Sequence, residues 1–185
     1  MKRIIAYKGF RRGLVCMGYQ FVMGKNVTKE ANCRENGFHC AENPLDCLRY
    51  YSNMKDSEYC LVIPGGDQDE DEIDSKIACT ELTIVKRLDK KEFFTHALAY
   101  MMDHPARRWS SFVQKERGVA HGDYVVVRGK NPLARGKKGD ILALAKEAPD
   151  ANTVIQIALT QVDGRTILPD TWYDIDLQAK GDMST

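Results

Sequence analysis

The chain has 185 residues, of which 43% are hydrophobic and 29% charged, which is the composition of a globular protein rather than of a disordered one. Its formal net charge of +1 gives no chain-wide electrostatic reason to bind nucleic acid or a membrane, and no apolar run approaches the roughly 18 residues that span a bilayer. The apolar stretch at the N-terminus is too short for a signal peptide, so we expect a single cytoplasmic domain over residues 1–185, with reduced cysteines and no membrane partner.

The first half of the chain predicts strands around one short helix. Asn43 can accept a hydrogen bond from a free amide of the first helical turn, and Pro44 fits the first helical position, where no amide donor is needed. Leu45, Leu48 and Tyr51 then recur at helical spacing, which predicts a short helix with one buried face. Apolar and alternating segments predict strands over residues 3–7, 19–23, 58–63 and 77–85.

An acidic run follows the third of these strands. Residues 65–74 contain six carboxylates and no cation, and Pro64, Gly65 and Gly66 break the strand pattern at their start. This composition predicts a mobile, solvated loop over residues 65–74.

The centre of the chain predicts helices. Asp89 and Glu92 have the spacing of a capping box. An apolar face at helical spacing follows them, made of Phe93, Phe94, Ala97, Leu98 and Met101. Pro105 should end this helix, and residues 106–118 have the pattern of a second helix closed by a glycine. We therefore predict a central helical segment over about residues 89–118.

The C-terminal part of the chain returns to strands. Apolar runs predict strands over residues 123–128, 140–146, 153–159 and 172–177. Gly164 supplies a turn before the last of them. The whole pattern indicates an α+β fold, with a mixed, mostly antiparallel sheet or sheets, a short N-terminal helix and the central helical segment.

Three cysteines and one histidine lie close together in the sequence, where a metal site has to be considered. Cys33, Cys40 and Cys47 are seven residues apart, and His39 is next to Cys40. Structural zinc takes close-spaced pairs of ligands, and no C-x2-C or H-x3-H pair occurs here, so we predict buried thiols and no metal. A catalytic pair of Cys40 and His39 is disfavoured, because adjacent side chains of an extended chain point to opposite faces.

A basic run follows the central segment. Residues 128–138 contain five cations, no carboxylate and two glycines, and we predict a mobile loop over about residues 128–139. Such a loop suits the phosphates of double-stranded DNA or an acidic protein face. It could equally be only solvated, or be neutralised by the acidic run folding back onto it. The predicted binding residues are Arg128, Lys130, Arg135, Lys137 and Lys138.

The order of the early elements resembles that of ADP-ribosyltransferases. In that family an early strand bearing His or Arg and a strand–helix corner bearing aromatics bind the nicotinamide cofactor, and a later strand supplies a glutamate. The resemblance would assign that glutamate to Glu81. The first strand has Tyr7, Lys8 and Gly9 where the family has His or Arg. Because a shared fold does not imply a shared activity, we predict no catalytic residue and no cofactor, and keep a transferase-like enzyme as the alternative.

Two motifs resemble those of a family of phage and prophage proteins of unknown function. The family carries G-F-H-x-C-x-x-P-x-D near its N-terminus, and this chain has G-F-H-C at residues 37–40, with the histidine and cysteine adjacent. The family also carries V-D-G and D-T-W-Y near its C-terminus, which this chain has at residues 162–164 and 170–173. The resemblance implies a protein of a mobile genetic element that acts in the cytoplasm of a host cell.

Many small phage proteins bind and block a host machine, and this chain resembles the anti-CRISPR proteins of type II systems. The resemblance implies a non-enzymatic inhibitor whose partner is the host's CRISPR effector nuclease. The basic loop would contact DNA or an acidic face, and the acidic run would compete for the positive channel that holds the nucleic acid. A structural or accessory phage protein is a further alternative.

Overall fold

The computed structural model describes residues 4–29, 36–70, 75–107, 111–150 and 153–181. They divide into two compact units, unit 1 (Met1–Asp89) and unit 2 (Lys90–Thr185). Length alone predicted a single domain over the chain. The division arises because every strand pairing among the described residues joins two strands of the same unit.

Unit 1 is built from strands whose pairings are all antiparallel among its described residues. They are β1 (Ala6–Arg11), β2 (Val15–Cys16), β3 (Tyr19–Gln20), β4 (Gly24–Val27), β5 (Phe38–Ala41), β6 (Ser57–Glu70) and β7 (Lys76–Leu88). β1, β5, β7 and β6 pair in succession, and β6 pairs back with β1, so these four strands form a closed circuit. The core packed by these strands includes Phe10, Phe38, Val62, Ile77 and Leu82.

The short helix predicted from Asn43 and Pro44 is a 3₁₀ helix, Pro44–Arg49. Asn43 caps it as predicted, since its side-chain oxygen accepts a hydrogen bond of 3.1 Å from the amide of Leu45. Leu45 and Leu48 are fully buried, so this helix covers part of the sheet and packs against β1 and β5.

The first part of the acidic run is a strand rather than the predicted loop. β6 stays paired with β7 as far as the pair Glu70 and Ile77. The pairing register shifts between Gly65 and Gln68, and Gly66 has a φ of 67°. A bulge of this kind absorbs the irregular backbone that the glycines introduce, so the strand continues through them. The rest of the predicted loop, residues 71–74, lies outside the described residues.

Unit 2 combines one α-helix of its described residues with a mixed sheet. The elements are α1 (Lys90–Asp103), β8 (Val113–Val119), β9 (Tyr124–Arg135), β10 (Ile141–Glu147), β11 (Val154–Gln161), β12 (Trp172–Tyr173) and β13 (Ala179–Lys180). β9 pairs in parallel with β8 and β10, and the remaining pairings are antiparallel. α1 packs on β10 and β11, and the apolar face predicted for it is buried. No helix of the described residues combines the length and apolarity that crossing a bilayer requires.

The second helix predicted over residues 106–118 is wrong in its described part. Val113–Val119 form β8, parallel to β9. Glu116 has a φ of 62°, which no α-helix contains. Gly118 lies so close to β9 that an added Cβ would come within 2.6 Å of the side chains of Val125 and Val127. The fold therefore consists mostly of antiparallel and mixed sheets, with fewer helices than the sequence predicted.

The mobile loop predicted over residues 128–139 is also mostly strand. Residues 128–135 continue β9, and Leu133 and Ala134 are buried in it. A tight turn follows, in which the amide of Asp140 donates a hydrogen bond of 3.0 Å to the carbonyl of Lys137. The amide of Gly139 donates another, of 2.8 Å, to the carbonyl of Val162, so backbone hydrogen bonds fix this turn.

Candidate functional site

The five cations predicted to bind a partner are not all on the surface. Arg128 is only 2% exposed. Its Nε donates a hydrogen bond of 2.8 Å to Oε1 of Glu147, and its Nη2 donates one of 2.8 Å to the carbonyl of Pro105. Arg128 thus belongs to the interior of unit 2 and is removed from any binding surface, because its strand is buried on both sides at that point.

Lys130 is exposed but lies beside a carboxylate. The backbone amides of Lys130 and Asn131 donate hydrogen bonds of 3.0 Å and 3.1 Å to Oε1 and Oε2 of Glu116. These bonds, chiefly the one from Lys130, hold the pKa of Glu116 below its usual value. Because that negative charge lies close to the Lys130 backbone, Lys130 is a weak candidate for an anion site.

Arg135 contacts an indole ring on the neighbouring strand. Tyr173 pairs with Ala134, which sets Trp172 beside Arg135. The guanidinium carbon of Arg135 lies 4.8 Å from the ring centre of Trp172, a cation–π contact. On its other side Trp172 is paired with Lys180 of β13. We call Arg135, Trp172 and Lys180, which lie abreast on three strands, the tryptophan row.

Lys137 and Lys138 are exposed in the turn directly after Arg135, and we call these two residues the lysine turn. The amide of Lys137 donates a hydrogen bond of 2.8 Å to Oδ2 of Asp140. The stem of Lys138 lies over Gly164, its Cδ 3.5 Å from the position of an added Cβ. Within the described part of the chain, neither lysine has a carboxylate at ion-pair distance.

Several carboxylates lie in the loops around this surface, and most of them are engaged. Asp163 accepts hydrogen bonds from three successive backbone amides, of which those of Arg165 and Ile167 lower its pKa most. Asp174 pairs with Lys180 at 2.6 Å. Asp170 is exposed, and its amide donates a hydrogen bond of 2.8 Å to the carbonyl of Gly136, next to the lysine turn. Asp170 and Asp140, whose Oδ2 accepts the amide of Lys137, are therefore carboxylates that oppose an anion there.

The structure brings three of the predicted cations together and adds two residues that the charge pattern did not indicate. Arg135 and the lysine turn are separated in the chain only by Gly136, and their side chains are exposed or half-buried. Trp172 and Lys180 join them only through the register of β12 and β13. The D-T-W-Y motif was the one sequence signal that marked Trp172.

The cysteines of unit 1 are placed as packed thiols. All five described cysteines are free, and Cys33 lies outside the described residues. Cys40 hydrogen bonds with Cys79, which raises the pKa of Cys40. Burial raises the pKa of Cys47 and of Cys60 to about 12. Thiols with a raised pKa, here those of Cys40, Cys47 and Cys60, are poor metal ligands and nucleophiles. No group of three or more His, Cys, Asp or Glu that could hold a metal ion is found among the described residues.

Lys8 and Glu81 lie at the positions that a transferase would use, and both make polar contacts within unit 1. Glu81 lies on β7 and pairs with Lys25 of β4 at 2.8 Å. Lys8 is buried, and its Nζ donates a hydrogen bond of 2.6 Å to the carbonyl of His39. The same Nζ lies 5.4 Å from the ring centres of Phe10 and Phe21. These contacts give Lys8 and Glu81 a structural role, because they help to stabilise unit 1.

Comparison with known families matches residues 4–96 to one family, described as a domain of unknown function (DUF7666). The match covers half of the chain. It spans the described strands of unit 1 and the first half of α1, and it ends before the tryptophan row. No curated protein and no solved structure matches the chain.

Proposed function

Because the chain belongs to the DUF7666 family, whose function is unknown, we propose a function from the geometry of unit 2: non-enzymatic binding of the phosphates of double-stranded DNA. The observation that carries the proposal is the contact of 4.8 Å between Arg135 and the ring of Trp172, next to the lysine turn. This end of unit 2 offers three cations beside one aromatic ring, and none of the three has a carboxylate partner among the described residues.

The ring of Trp172 makes Arg135 a better phosphate ligand than an isolated arginine. An arginine on a flexible stem loses rotamer freedom when it binds, and a stacked guanidinium has already lost part of it. The planar fork of the guanidinium then presents donors in a fixed direction, which suits two oxygens of one phosphate. Lys137 and Lys138 add positive charge, but their ammonium groups do not present donors in a fixed direction. Such contacts hold a duplex through its backbone and read no sequence.

Binding is tested by fluorescence anisotropy with a short labelled duplex over a series of salt concentrations. Each phosphate neutralised contributes about −0.9 to the slope of log affinity against log salt, so three cations give a slope of about −3. Lys137→Ala with Lys138→Ala should weaken binding to every sequence and flatten the slope by about two. Lys91→Ala with Lys115→Ala is the matched control, because it removes two exposed lysines from α1 and β8. Equal losses in both double variants would exclude the lysine turn as the contact.

We propose further that this binding serves inhibition of a type II RNA-guided nuclease in the host cytoplasm, the role that the resemblance to anti-CRISPR proteins implies. Such nucleases hold nucleic acid in a positively charged channel and read a short flanking duplex. Unit 2 supplies cations for that duplex. The exposed Asp67 in the acidic part of β6 supplies charge of the sign that the channel attracts. The two charged features therefore suit the two parts of a nuclease–DNA complex.

Inhibition is tested by adding the chain to a purified type II nuclease with guide RNA and target duplex. We expect loss of cleavage at about equimolar inhibitor, without added cofactor, and recovery of cleavage with the Lys137→Ala and Lys138→Ala variant. Full cleavage in the presence of a large excess of the chain would refute the proposal. Inhibition by substoichiometric protein that needs a nicotinamide cofactor, and that is lost in Glu81→Ala, would indicate the transferase instead.

A further inference from the structure

The first 29 residues of the chain carry seven cations and no carboxylate, and the first carboxylate of the sequence is Glu30. The net charge of +1 conceals this imbalance. Arg11, Arg12 and Lys29 are exposed. Of the carboxylates on neighbouring strands, Glu58 pairs with Arg87 at 3.5 Å, whereas Glu81 pairs at 2.8 Å with Lys25 and neutralises that one of the seven cations. This part of unit 1 therefore presents an excess of positive charge.

The same segment exposes apolar side chains on two successive turns. Six of the eleven exposed large apolar side chains of the described residues lie between Ile5 and Val27. Met17 is 96% exposed in the two-residue turn that joins β2 to β3. Val22 and Met23, 57% and 47% exposed, form the next turn. Two turns with exposed apolar side chains thus follow one another in the sequence, with cations before and after them.

The second turn is held rigidly from inside the fold. The side-chain oxygen of Asn26 accepts a hydrogen bond of 3.0 Å from the amide of Val22. Its side-chain nitrogen donates to the carbonyls of Val22 and Gly24, at 2.9 Å and 3.1 Å. Asn26 itself is only 4% exposed. The apolar side chains are therefore displayed by an ordered turn.

Met17 is an unfavourable residue for its position. The φ angles are 49° at Met17 and 81° at Gly18, the pattern of a type I′ turn, in which asparagine followed by glycine is preferred. A methionine with positive φ is strained, and at 96% exposure its side chain gains almost no packing in return. Backbone strain that the fold itself does not repay is a mark of a functional contact.

We propose that these two turns contact a lipid bilayer that contains anionic headgroups. Met17, Val22 and Met23 enter the interfacial region, and Arg11, Arg12 and Lys29 meet the headgroups. Apolar insertion and attraction of basic residues to anionic lipid together give the two contributions that stable peripheral binding requires. Tyr19, 42% exposed between the turns, is of the residue type enriched at membrane interfaces.

Other occupants fit this surface less well. A second copy of the chain docked by the same surface would bring the same cations together, which is repulsive. Side chains as exposed as Met17 and Val22 do not line a groove for a peptide. DNA phosphates would satisfy the cations but not the aliphatic side chains. The membrane contact involves unit 1 alone and does not depend on the DNA site of unit 2.

The test is co-sedimentation of the full chain with vesicles of phosphatidylcholine, with and without phosphatidylglycerol, at low ionic strength. We expect binding to the anionic vesicles and little to the neutral ones. Met17→Asn should weaken binding about tenfold, the loss of one inserted methionine, while the asparagine suits the turn and keeps the fold. Arg11→Gln with Lys29→Gln should weaken it as well and reduce its dependence on salt.

Ile155→Thr is the matched control, because it removes an exposed apolar side chain, 55% exposed, from β11 of unit 2. This variant should bind like the wild type. Unchanged binding of Met17→Asn would overturn the proposal, as would a wild-type chain that stays in the supernatant with anionic vesicles. The latter result would point to an acidic protein partner for the same turns.

Discussion

The carboxylate of Glu116 lies over Gly129, where an added Cβ would come within 2.5 Å of the carboxyl carbon. From there the carboxylate accepts hydrogen bonds from the amides of Lys130 and Asn131. The pairing of β8 with β9 shifts register at this place, between Lys115 and Arg117. The contact of Glu116 with Gly129 therefore fixes the bulge between the segment of β9 that holds Arg128 and the segment that reaches the tryptophan row.

Replacing Gly129 by alanine should displace the Glu116 carboxylate and break both hydrogen bonds. We expect a loss of about 1–3 kcal/mol in the free energy of unfolding, measured by urea denaturation. Glu116→Ala removes the same bonds. The double variant should therefore be less destabilised than the sum of the two single variants. Strict additivity would show that the two residues act independently.

The depressed pKa of Glu116 makes stability depend on pH in a defined direction. At a pH between the lower folded pKa and the unfolded value of about 4.3, the unfolded chain binds more protons, so stability rises with pH. The contribution is complete above the unfolded pKa and is lost as the pH falls through the folded one. The side chain is largely solvated, so the effect should be small. Thermal midpoints of wild type and Glu116→Gln should differ more at about pH 7 than at about pH 3, and a constant difference would contradict this.

Removing one partner of the buried pair of Arg128 and Glu147 should destabilise the protein strongly, whereas replacing both by apolar residues should destabilise it little. Their side chains are 3% and 6% exposed, with 2.8 Å between Nε and Oε1. Arg128→Ala leaves a buried carboxylate without its cation, and we expect a loss of about 3–5 kcal/mol in urea denaturation. Arg128→Met with Glu147→Leu should recover most of it. A loss below about 1 kcal/mol in Arg128→Ala would mean that water replaces the arginine.

Asn26 should tolerate alanine better than aspartate, although aspartate has nearly the same shape. Its side-chain nitrogen donates to the carbonyls of Val22, Gly24 and Leu82, and a carboxylate has no proton to donate. A buried carboxylate also has a raised pKa, so Asn26→Asp should regain stability as the pH falls. Denaturation of both variants at about pH 7 and about pH 4 measures this. The prediction fails if Asn26→Asp is the more stable variant at neutral pH.

Asp170→Asn should raise the affinity for duplex DNA severalfold, because it removes the exposed carboxylate next to the lysine turn. The backbone should not change, since asparagine tolerates the φ of 55° at this position. Asp103→Asn, an exposed carboxylate at the end of α1, is the control with the same change of charge. Anisotropy titrations at one salt concentration suffice. Equal gains in affinity in both variants would show that the change in net charge, and not the position of Asp170, causes the gain.

Elements set by neighbouring residues could be predicted from the sequence. The cap at Asn43, the proline after it and the apolar spacing of α1 are local rules, and all three hold. The strands at residues 65–70 and 113–119 could not be predicted in the same way. Gly118 fits against Val125 and Val127 only when β9 is present, and the bulge near Gly65 exists only in the pairing with β7. Both strands therefore depend on pairing with strands that are distant in the sequence.

The candidate site likewise contains residues that local composition predicts and residues that only the tertiary structure places there. A run of cations marked Arg135, Lys137 and Lys138, but composition does not show that Arg128 points into the interior to meet Glu147. The place of Trp172 beside Arg135 depends on strand register, which the sequence does not give. The absence of carboxylates before Glu30, in contrast, could be read directly and indicates a local charge that the net charge hides.

The closed circuit of β1, β5, β7 and β6 affects the order of events during synthesis. β1 pairs with β6, as in the pair Ala6 and Val62, and the circuit closes only when β7 has also been made. At about 5–20 residues per second, the ribosome needs several seconds to extend the chain from β1 to the end of β7. For most of that interval the basic and apolar N-terminal segment lacks the partner strands that are distant in sequence, β6 and β7. A nascent chain of this protein should therefore be a substrate for chaperones before it is a folded domain.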